Sequence, residues 1–267
     1  MFLFIVLSII KNSNKLAEHT SSENLKPPFI ELESIDSTNN YAFMAIREGL
    51  AVSGYSVFAH AQYDGKGQRG KQWHTTAGEA IHLSMVFKPA LSVYEGFSFQ
   101  AFIASAIIGY LQKKCTELVL VKWPNDIFIG EKKLGGILIE NLIVGKQWKW
   151  SVVGIGLNIN QRTFPMELPN ATSLFKSTGT THPPAEMAKE LAATIYEKHI
   201  ALTPENAKLH LAHYLNCLYK KNENATFKKG SRTFTARIKT VTSRGELVLQ
   251  IGSLEESFKH GEIEWVL

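Results

Sequence analysis

A glycine-rich, cationic segment, DGKGQRGKQW at residues 64–73, contains residue types well suited to bind an anion. Gly65, Gly67 and Gly70 have the G-x-G-x-x-G spacing of dinucleotide sites, and the same segment matches the G-x-x-x-x-G-K of phosphate loops. Both motifs need a helix that begins at the glycines, so that its N-terminus faces the phosphates. The residues that follow have no helical period, and position 72 is Gln where a phosphate loop needs Ser or Thr. Neither pattern is therefore interpreted as a true motif.

The charges of this segment still suit an anionic ligand. Lys66, Arg69 and Lys71 lie among glycines whose backbone amides can approach a phosphate or carboxylate closely. A solvated turn is the simpler interpretation of such a loop when it is considered alone.

Two later stretches add further chemistry. KWPNDIFIGEKKLGGILIE, residues 122–140, places Asn125 and Asp126 at a strand end and Lys133 in a short loop, although a plain β-hairpin explains it equally well. In GIGLNIN, residues 154–160, alternating glycines leave one strand face without side chains. A sheet tolerates that where another group lies on the face, or where the strand bends.

The sequence predicts an α+β fold to position these residues, with a mixed β-sheet backed by helices and a small C-terminal β-barrel. FIELESIDSTNNYAFMAIREG predicts a strand, a turn and a helix that begins near Ser37 or Thr38 and ends at Gly49. The interpreted organisation is a disordered tail at 1–28, a catalytic domain at 29–221 and the barrel at 222–267. Further strands are predicted in SGYSVFAHAQY, in AIHLSMVF and within residues 117–160, and strand-like alternation begins again at about Ala225. A buried helix is predicted in FSFQAFIASAIIGYLQKK, and two more helices in AEMAKELAATIYEKHIAL and ENAKLHLAHYLNCLY.

Composition narrows the class of protein. The net charge of +5 is spread along the chain, which suits a small anion better than nucleic acid. Cys115 and Cys217 have no disulfide or metal spacing, so a reduced, cytoplasmic setting is expected. The almost wholly apolar start, MFLFIVLSII, is shorter than the about 20 residues that span a bilayer, so no stable membrane insertion is expected. A weak membrane anchor is the alternative.

The chain resembles the biotin–protein ligases. DSTNNYA, Gln62 with GKGQRGKQW, KWPNDIF…KKLGGILIE and GIGLNIN stand in the order and spacing of that family, over residues 30–160. The resemblance implies a class II synthetase-like catalytic domain that forms biotinyl-5'-AMP from biotin and ATP with Mg²⁺. It also implies transfer of biotin to a lysine of a biotin carboxyl carrier domain. No DNA-binding winged helix is expected before Phe29, so the chain resembles the monofunctional type of the family. Both a monomer and a homodimer are open alternatives.

The resemblance also assigns roles to residues of the motifs. It implies Lys133, Asp126 and Lys71 as catalytic residues, and Asn125 with Asp126 near Mg²⁺. The residues implied to bind biotin are Ser37, Thr38, Asn39, Gln62, Lys66, Gly67, Gln68, Lys133, Gly136 and Gly154. Those implied to bind ATP or the adenylate are Lys66, Arg69, Lys71, Trp73, Asn125, Lys133 and Asn158.

Three departures and three alternatives accompany the resemblance. Lys66, Gln68 and Lys71 stand where members of the family commonly have Arg. None of the three side chains can bind an anion through two parallel hydrogen bonds as a guanidinium does, and Gln68 also lacks the positive charge. A lipoate ligase or acyltransferase of the same fold is the first alternative, and a non-catalytic biotin sensor is the second. An NAD-dependent oxidoreductase is the most distant, since no acidic residue follows the glycines to bind a ribose.

Overall fold

The computed structural model describes residues 26–73 and 75–266, so the prediction of a disordered tail at 1–28 lies mostly outside the described residues. No helix within these ranges is long and apolar enough to cross a membrane. The helices are α1 (Thr38–Arg47), α2 (Gly96–Leu111), α3 (Leu174–Thr178), α4 (Pro184–Ile200) and α5 (Pro204–Asn216). The strands are β1 (Phe29–Ile35), β2 (Ser56–Gln62), β3 (Ala80–Phe87), β4 (Val119–Lys122), β5 (Asp126–Ile129), β6 (Lys132–Val144), β7 (Gln147–Asn158), β8 (Asn224–Lys229), β9 (Arg232–Val241), β10 (Leu247–Ile251), β11 (Leu254–Phe258) and β12 (Glu264–Val266).

Seven strands form the main sheet in the order β1-β2-β3-β7-β6-β5-β4. Only β1 and β2 are parallel, and the other pairs are antiparallel. The sheet is therefore mixed, which confirms the predicted class. The helix predicted after the first strand is α1, with Ser37 as its N-cap and Gly49 beyond its end at φ 69°.

The two faces of the sheet are covered unequally. On one face, Leu83, Met85 and Phe87 of β3 pack in the main core, which α2, α4 and α5 complete. On the other face, Val57 and Val86 pack under α1 alone. Because side chains alternate along each strand, the same face carries the glycines of β7, and there α1 leaves room for a cavity.

The C-terminal strands form a separate five-stranded antiparallel sheet in the order β11-β10-β9-β8-β12. This second sheet agrees with the predicted small C-terminal β-unit, and within the described ranges its ladder is open between β11 and β12. The indole N–H of buried Trp123 donates to the carbonyl of Gly245 at 2.9 Å, which joins the two sheets. The domain boundary at 222 stays a prediction.

Candidate active site

A cavity of about 1140 Å³ opens on the face that α1 covers only in part. Its walls come from the start of α1, the segment 64–73, strands β6 and β7, and the C-terminal sheet. All the residues for which the resemblance implied a role line it: Ser37, Thr38, Asn39, Gln62, Lys66, Gly67, Gln68, Arg69, Lys71, Trp73, Asn125, Asp126, Lys133, Gly136, Gly154 and Asn158. The structure thus brings together residues from six separate segments.

One end of the cavity is polar and uncharged. The Thr38 backbone N–H donates to Gln62 Oε1 at 2.7 Å, and Thr38 Oγ1 lies 3.0 Å from the same oxygen. Since Oε1 is held in this way, the Gln62 amide nitrogen is the part of that side chain left to meet a ligand. Buried Ser84 lies 2.7 Å from Thr38 Oγ1 and 2.6 Å from Asn39 Oδ1, so it supports both from the sheet.

The glycines of β7 make room for two side chains. A Cβ added at Gly154 would lie 2.5 Å from Asn39 Oδ1, and one added at Gly156 would lie 2.7 Å from the Trp73 indole. Side chains of the protein itself, Asn39 and Trp73, thus lie on the face that these two glycines leave bare. At Gly136, by contrast, the nearest atom to an added Cβ is Asp126 Oδ1 at 3.4 Å, which is an ordinary van der Waals contact.

The lining of the cavity also carries an ion pair. Lys133 Nζ lies 2.7 Å from Asp126 Oδ1, with about a third of the lysine side chain exposed. The backbone of Lys133 is fixed on the other side, where its N–H donates to Asn170 and its carbonyl accepts from Thr172. Asn125, just before Asp126, is buried and donates from Nδ2 to the Ile137 carbonyl at 2.7 Å.

The glycine-rich segment folds back on itself without forming an α-helix, as predicted. Gly67 N–H donates to the Lys71 carbonyl at 2.7 Å, around a 3₁₀ turn over Gln68–Gly70. Arg69 has the left-handed φ of 57°, and its guanidinium lies against Gly261 of the C-terminal unit. Lys66 Nζ donates to Asn40 Oδ1 at 2.6 Å, which ties the segment to α1.

Asn158 is held by hydrogen bonds within the protein. Its amide donates to the Thr172 carbonyl at 3.0 Å and accepts from Gln161 at 3.3 Å, so it holds the segment 161–172. Gln68 and Trp73 also line the cavity, and Gln68 Oε1 and Trp73 Nε1 are among the buried polar atoms of the described residues that have no hydrogen-bond partner.

Lys122 is a cation of the cavity to which the sequence analysis gave no role. It is 8% exposed, and its ammonium lies 4.9 Å from the centroid of the Trp265 ring. The pKa of Lys122 is lowered to about 8, chiefly by burial; the Asp126 carboxylate opposes the shift, and the charges of Lys133 and Lys71 add to it. Its position at the start of the motif KWPNDIF could have suggested a role in the site. Its burial could not be predicted, because it depends on Trp265, which is far away in the sequence.

Magnesium can be tested against the donor set. Within residues 26–73 and 75–266, no three His, Cys, Asp or Glu side chains are close enough to form a metal cage. Asp126 gives one carboxylate, of which Oδ1 already meets Lys133. Mg²⁺ is usually bound by one or two carboxylates together with substrate phosphates and water. The site therefore fits a magnesium ion that arrives with phosphates, and it does not fit an all-protein site.

Comparison with known proteins defines the class. The model of the biotin/lipoate A/B protein ligase family matches residues 31–158, the segment that contains most of the cavity wall. Over this segment, slightly less than half of its length, the chain is similar to that family.

Two curated proteins that are similar to the chain are named as ligases. The chain is 30% identical to the bifunctional ligase/repressor of Bacillus subtilis over 179 residues, which are 64% of this chain and 55% of that protein. It is 32% identical to the biotin–[acetyl-CoA-carboxylase] ligase of Paracoccus denitrificans over 48% of this chain and 53% of the other. The chain thus spans about half the length of these curated relatives.

Solved structures share the fold. The Aquifex aeolicus biotin protein ligase in complex with biotin and ATP superposes with a TM-score of 0.74 at 22% identity, covering 91% of this chain and 99% of the other. The Leishmania major biotin protein ligase in complex with biotinyl-5-AMP has a TM-score of 0.62 at 20% identity, covering 88% and 100%.

Proposed function

We propose that this protein is an ATP-dependent biotin–protein ligase, which forms biotinyl-5'-AMP and transfers biotin to a lysine of a biotin carboxyl carrier domain. One observation carries the proposal: a single cavity is lined both by neutral polar groups, at Thr38 and Gln62, and by cations, at Lys133 and Lys71. Biotin has a neutral ureido ring and a carboxylate, so the cavity lining offers partners for both parts of the ligand. The names of the curated relatives point to the same activity.

The chemistry requires cations where two anions meet. The biotin carboxylate attacks the α-phosphorus of ATP, and the bond to the β,γ-pyrophosphate breaks as pyrophosphate leaves with the electron pair. Lys133 is proposed to hold the two anions in line, and Asp126 orients its ammonium by the 2.7 Å ion pair. Lys66, Arg69 and Lys71 are proposed to bind the phosphates, and Trp73 and Asn158 to border the adenylate.

The second half-reaction passes the biotinyl group to the carrier. The amine of the carrier lysine attacks the biotinyl carbonyl, the C–O bond to AMP breaks, and an amide forms as the amine loses its proton. Asn125 and Asp126 would hold Mg²⁺, which would supply positive charge to the phosphates of ATP. A cytoplasmic setting is proposed from the two free cysteines, Cys115 and Cys217. A homodimer is also proposed, and so is a domain boundary at residue 222, between the catalytic domain and the C-terminal domain.

The test combines the purified chain with biotin, ATP, Mg²⁺ and a biotin carboxyl carrier domain. We expect pyrophosphate release that depends on biotin, and a mass gain on the carrier equal to one biotinyl group. If lipoate replaces biotin as the substrate, the protein is a lipoate ligase. If biotin binds but no pyrophosphate is released, it is a sensor, and the proposal is wrong.

A further inference from the structure

The side chain of Lys66 is held at both of its ends. At the backbone, the two residues that flank it, Gly65 and Gly67, are hydrogen-bonded to the returning half of the segment 64–73, at 2.8 and 2.7 Å. At the tip, Lys66 Nζ donates to Asn40 Oδ1 of α1 at 2.6 Å. An exposed lysine ordinarily samples many rotamers, so a lysine that is fixed at both ends calls for a physical reason.

The amide of Asn40 is itself fixed in one orientation. Its Nδ2 donates to Asp36 Oδ2 at 2.5 Å, four residues earlier in the chain and just before α1. An ionised carboxylate only accepts hydrogen bonds, so Asp36 takes the amide nitrogen and leaves the amide oxygen facing Lys66. The Asp36 carbonyl also accepts from the Asp64 N–H at 3.0 Å, which joins the start of the glycine-rich segment to the same turn.

The amide keeps two opposite charges apart. Asp36 lies one hydrogen bond further from the ammonium than Asn40 does, and no carboxylate within residues 26–73 and 75–266 is at ion-pair distance from Lys66. The neutral Asn40 oxygen occupies one of the three ammonium hydrogens and cancels none of the charge. Lys66 lines the cavity, whereas Asn40 and Asp36 do not. The cavity wall therefore carries an ammonium whose position is fixed and whose charge is unpaired.

We propose that Asn40 is a positioning residue for ATP: it holds the Lys66 ammonium ready to bind a phosphate without pairing its charge. The inference rests on the proposed function, since the anion is a phosphate of ATP. A mobile lysine loses rotamer freedom when it binds a phosphate, and this loss weakens binding. The contact with Asn40 removes that freedom within the protein itself. A lysine gains more from such a contact than an arginine, whose planar fork is already preorganised.

The experiment is a double-mutant cycle on ATP binding. Wild type, Asn40→Ala, Lys66→Met, the double variant and the control Asn216→Ala are titrated by calorimetry, in the presence of Mg²⁺, with α,β-methylene-ATP, which cannot release pyrophosphate. Biotin is titrated separately, and biotin-dependent pyrophosphate release from ATP is measured for wild type. Asn216 is an exposed asparagine of α5 that does not line the cavity, which makes it a matched control.

We expect Lys66→Met to weaken the ATP analogue about tenfold, and Asn40→Ala about fivefold, because the lysine then keeps its charge but must be ordered by the ligand. In the Lys66→Met background, Asn40→Ala should change the affinity by less than about twofold, because it acts through the lysine. Biotin affinity should be unchanged in Asn40→Ala, and Asn216→Ala should match wild type for both ligands.

Three results would overturn the inference: an unchanged analogue affinity in Asn40→Ala, an equal loss in both backgrounds, or a loss of biotin affinity as large as that of the analogue. The last two would show that Asn40 supports the fold and does not act through Lys66. If wild type releases no pyrophosphate, the proposed function is wrong instead, while the cycle on the analogue still decides the role of Asn40.

Discussion

Replacing Lys133 with Ala should lower the rate of adenylation by about 10²–10³, with little change in biotin affinity. Removing one preorganised charge that stabilises a transition state commonly costs this much, which is about 2.7–4 kcal/mol of barrier. The fold should tolerate the change, because the hydrogen bonds of Lys133 to Asn170 and Thr172 come from its backbone and remain. Its ion pair with Asp126 is partly exposed, so its loss should cost no more than about 1 kcal/mol of stability.

The assay measures pyrophosphate release at saturating biotin and ATP, biotin binding by calorimetry, and the denaturant midpoint. Lys132→Ala is the matched control, because this neighbouring lysine is exposed and carries the same charge. Lys132→Ala should keep nearly the wild-type rate. If the two variants lose the same activity, or if Lys133→Ala loses biotin affinity in proportion to rate, then the lysine does not act at the junction of the two anions.

Three further predictions concern the cavity and the core. Gly154→Ala should raise the KM for biotin about tenfold, because the new Cβ would lie 2.5 Å from Asn39 Oδ1, whereas Gly109→Ala, in open space on α2, should leave KM unchanged; equal KM values would contradict this. Gln68→Arg should slow the escape of biotinyl-AMP into solution, measured by filtration of the labelled intermediate, because a guanidinium can bind the phosphate bidentately; an unchanged escape rate would count against it. Burial lowers the pKa of His199 below its ordinary value of 6.5, so the unfolded chain takes up this proton at a higher pH than the folded chain does. As pH drops below about 6.5, the free energy of unfolding should therefore fall, by at most about 1.4 kcal/mol per pH unit. His199→Leu should flatten that dependence in urea titrations at pH 7.5 and 5.5, and an unchanged slope would refute it.

The parts of the site that the sequence revealed are those where one short segment carries both the chemistry and its geometry. The glycines at 154 and 156 indicated either a group on the bare strand face or a bend, and the structure has Asn39 and Trp73 on that face. In the segment 64–73, the absence of a helical period excluded two familiar motifs, and the structure shows only a 3₁₀ turn.

The parts that the sequence analysis missed depend on contacts between distant segments. Ser84 lies in the apolar run AIHLSMVF and has no local sign of a role until β3 is placed under Asn39. Glu140 looks like an ordinary polar residue of β6 until the same Asn39 is seen to donate to it. The wall at Phe164 and Leu168 carries no chemistry of its own, and the short helix α3 that follows was not predicted.

The contact between Lys122 and Trp265 sets the order in which the site can come into being during synthesis. Lys122 belongs to β4, whereas the Trp265 ring that covers its ammonium at 4.9 Å belongs to β12. Domains generally begin to fold from the N-terminal side as the chain leaves the ribosome, so the main sheet can form while β12 is still inside the exit tunnel. Until then Lys122 faces water and the Trp123 indole lacks its acceptor on Gly245. A nascent chain can therefore form its main sheet before Lys122 and Trp123 gain their partners in the C-terminal sheet.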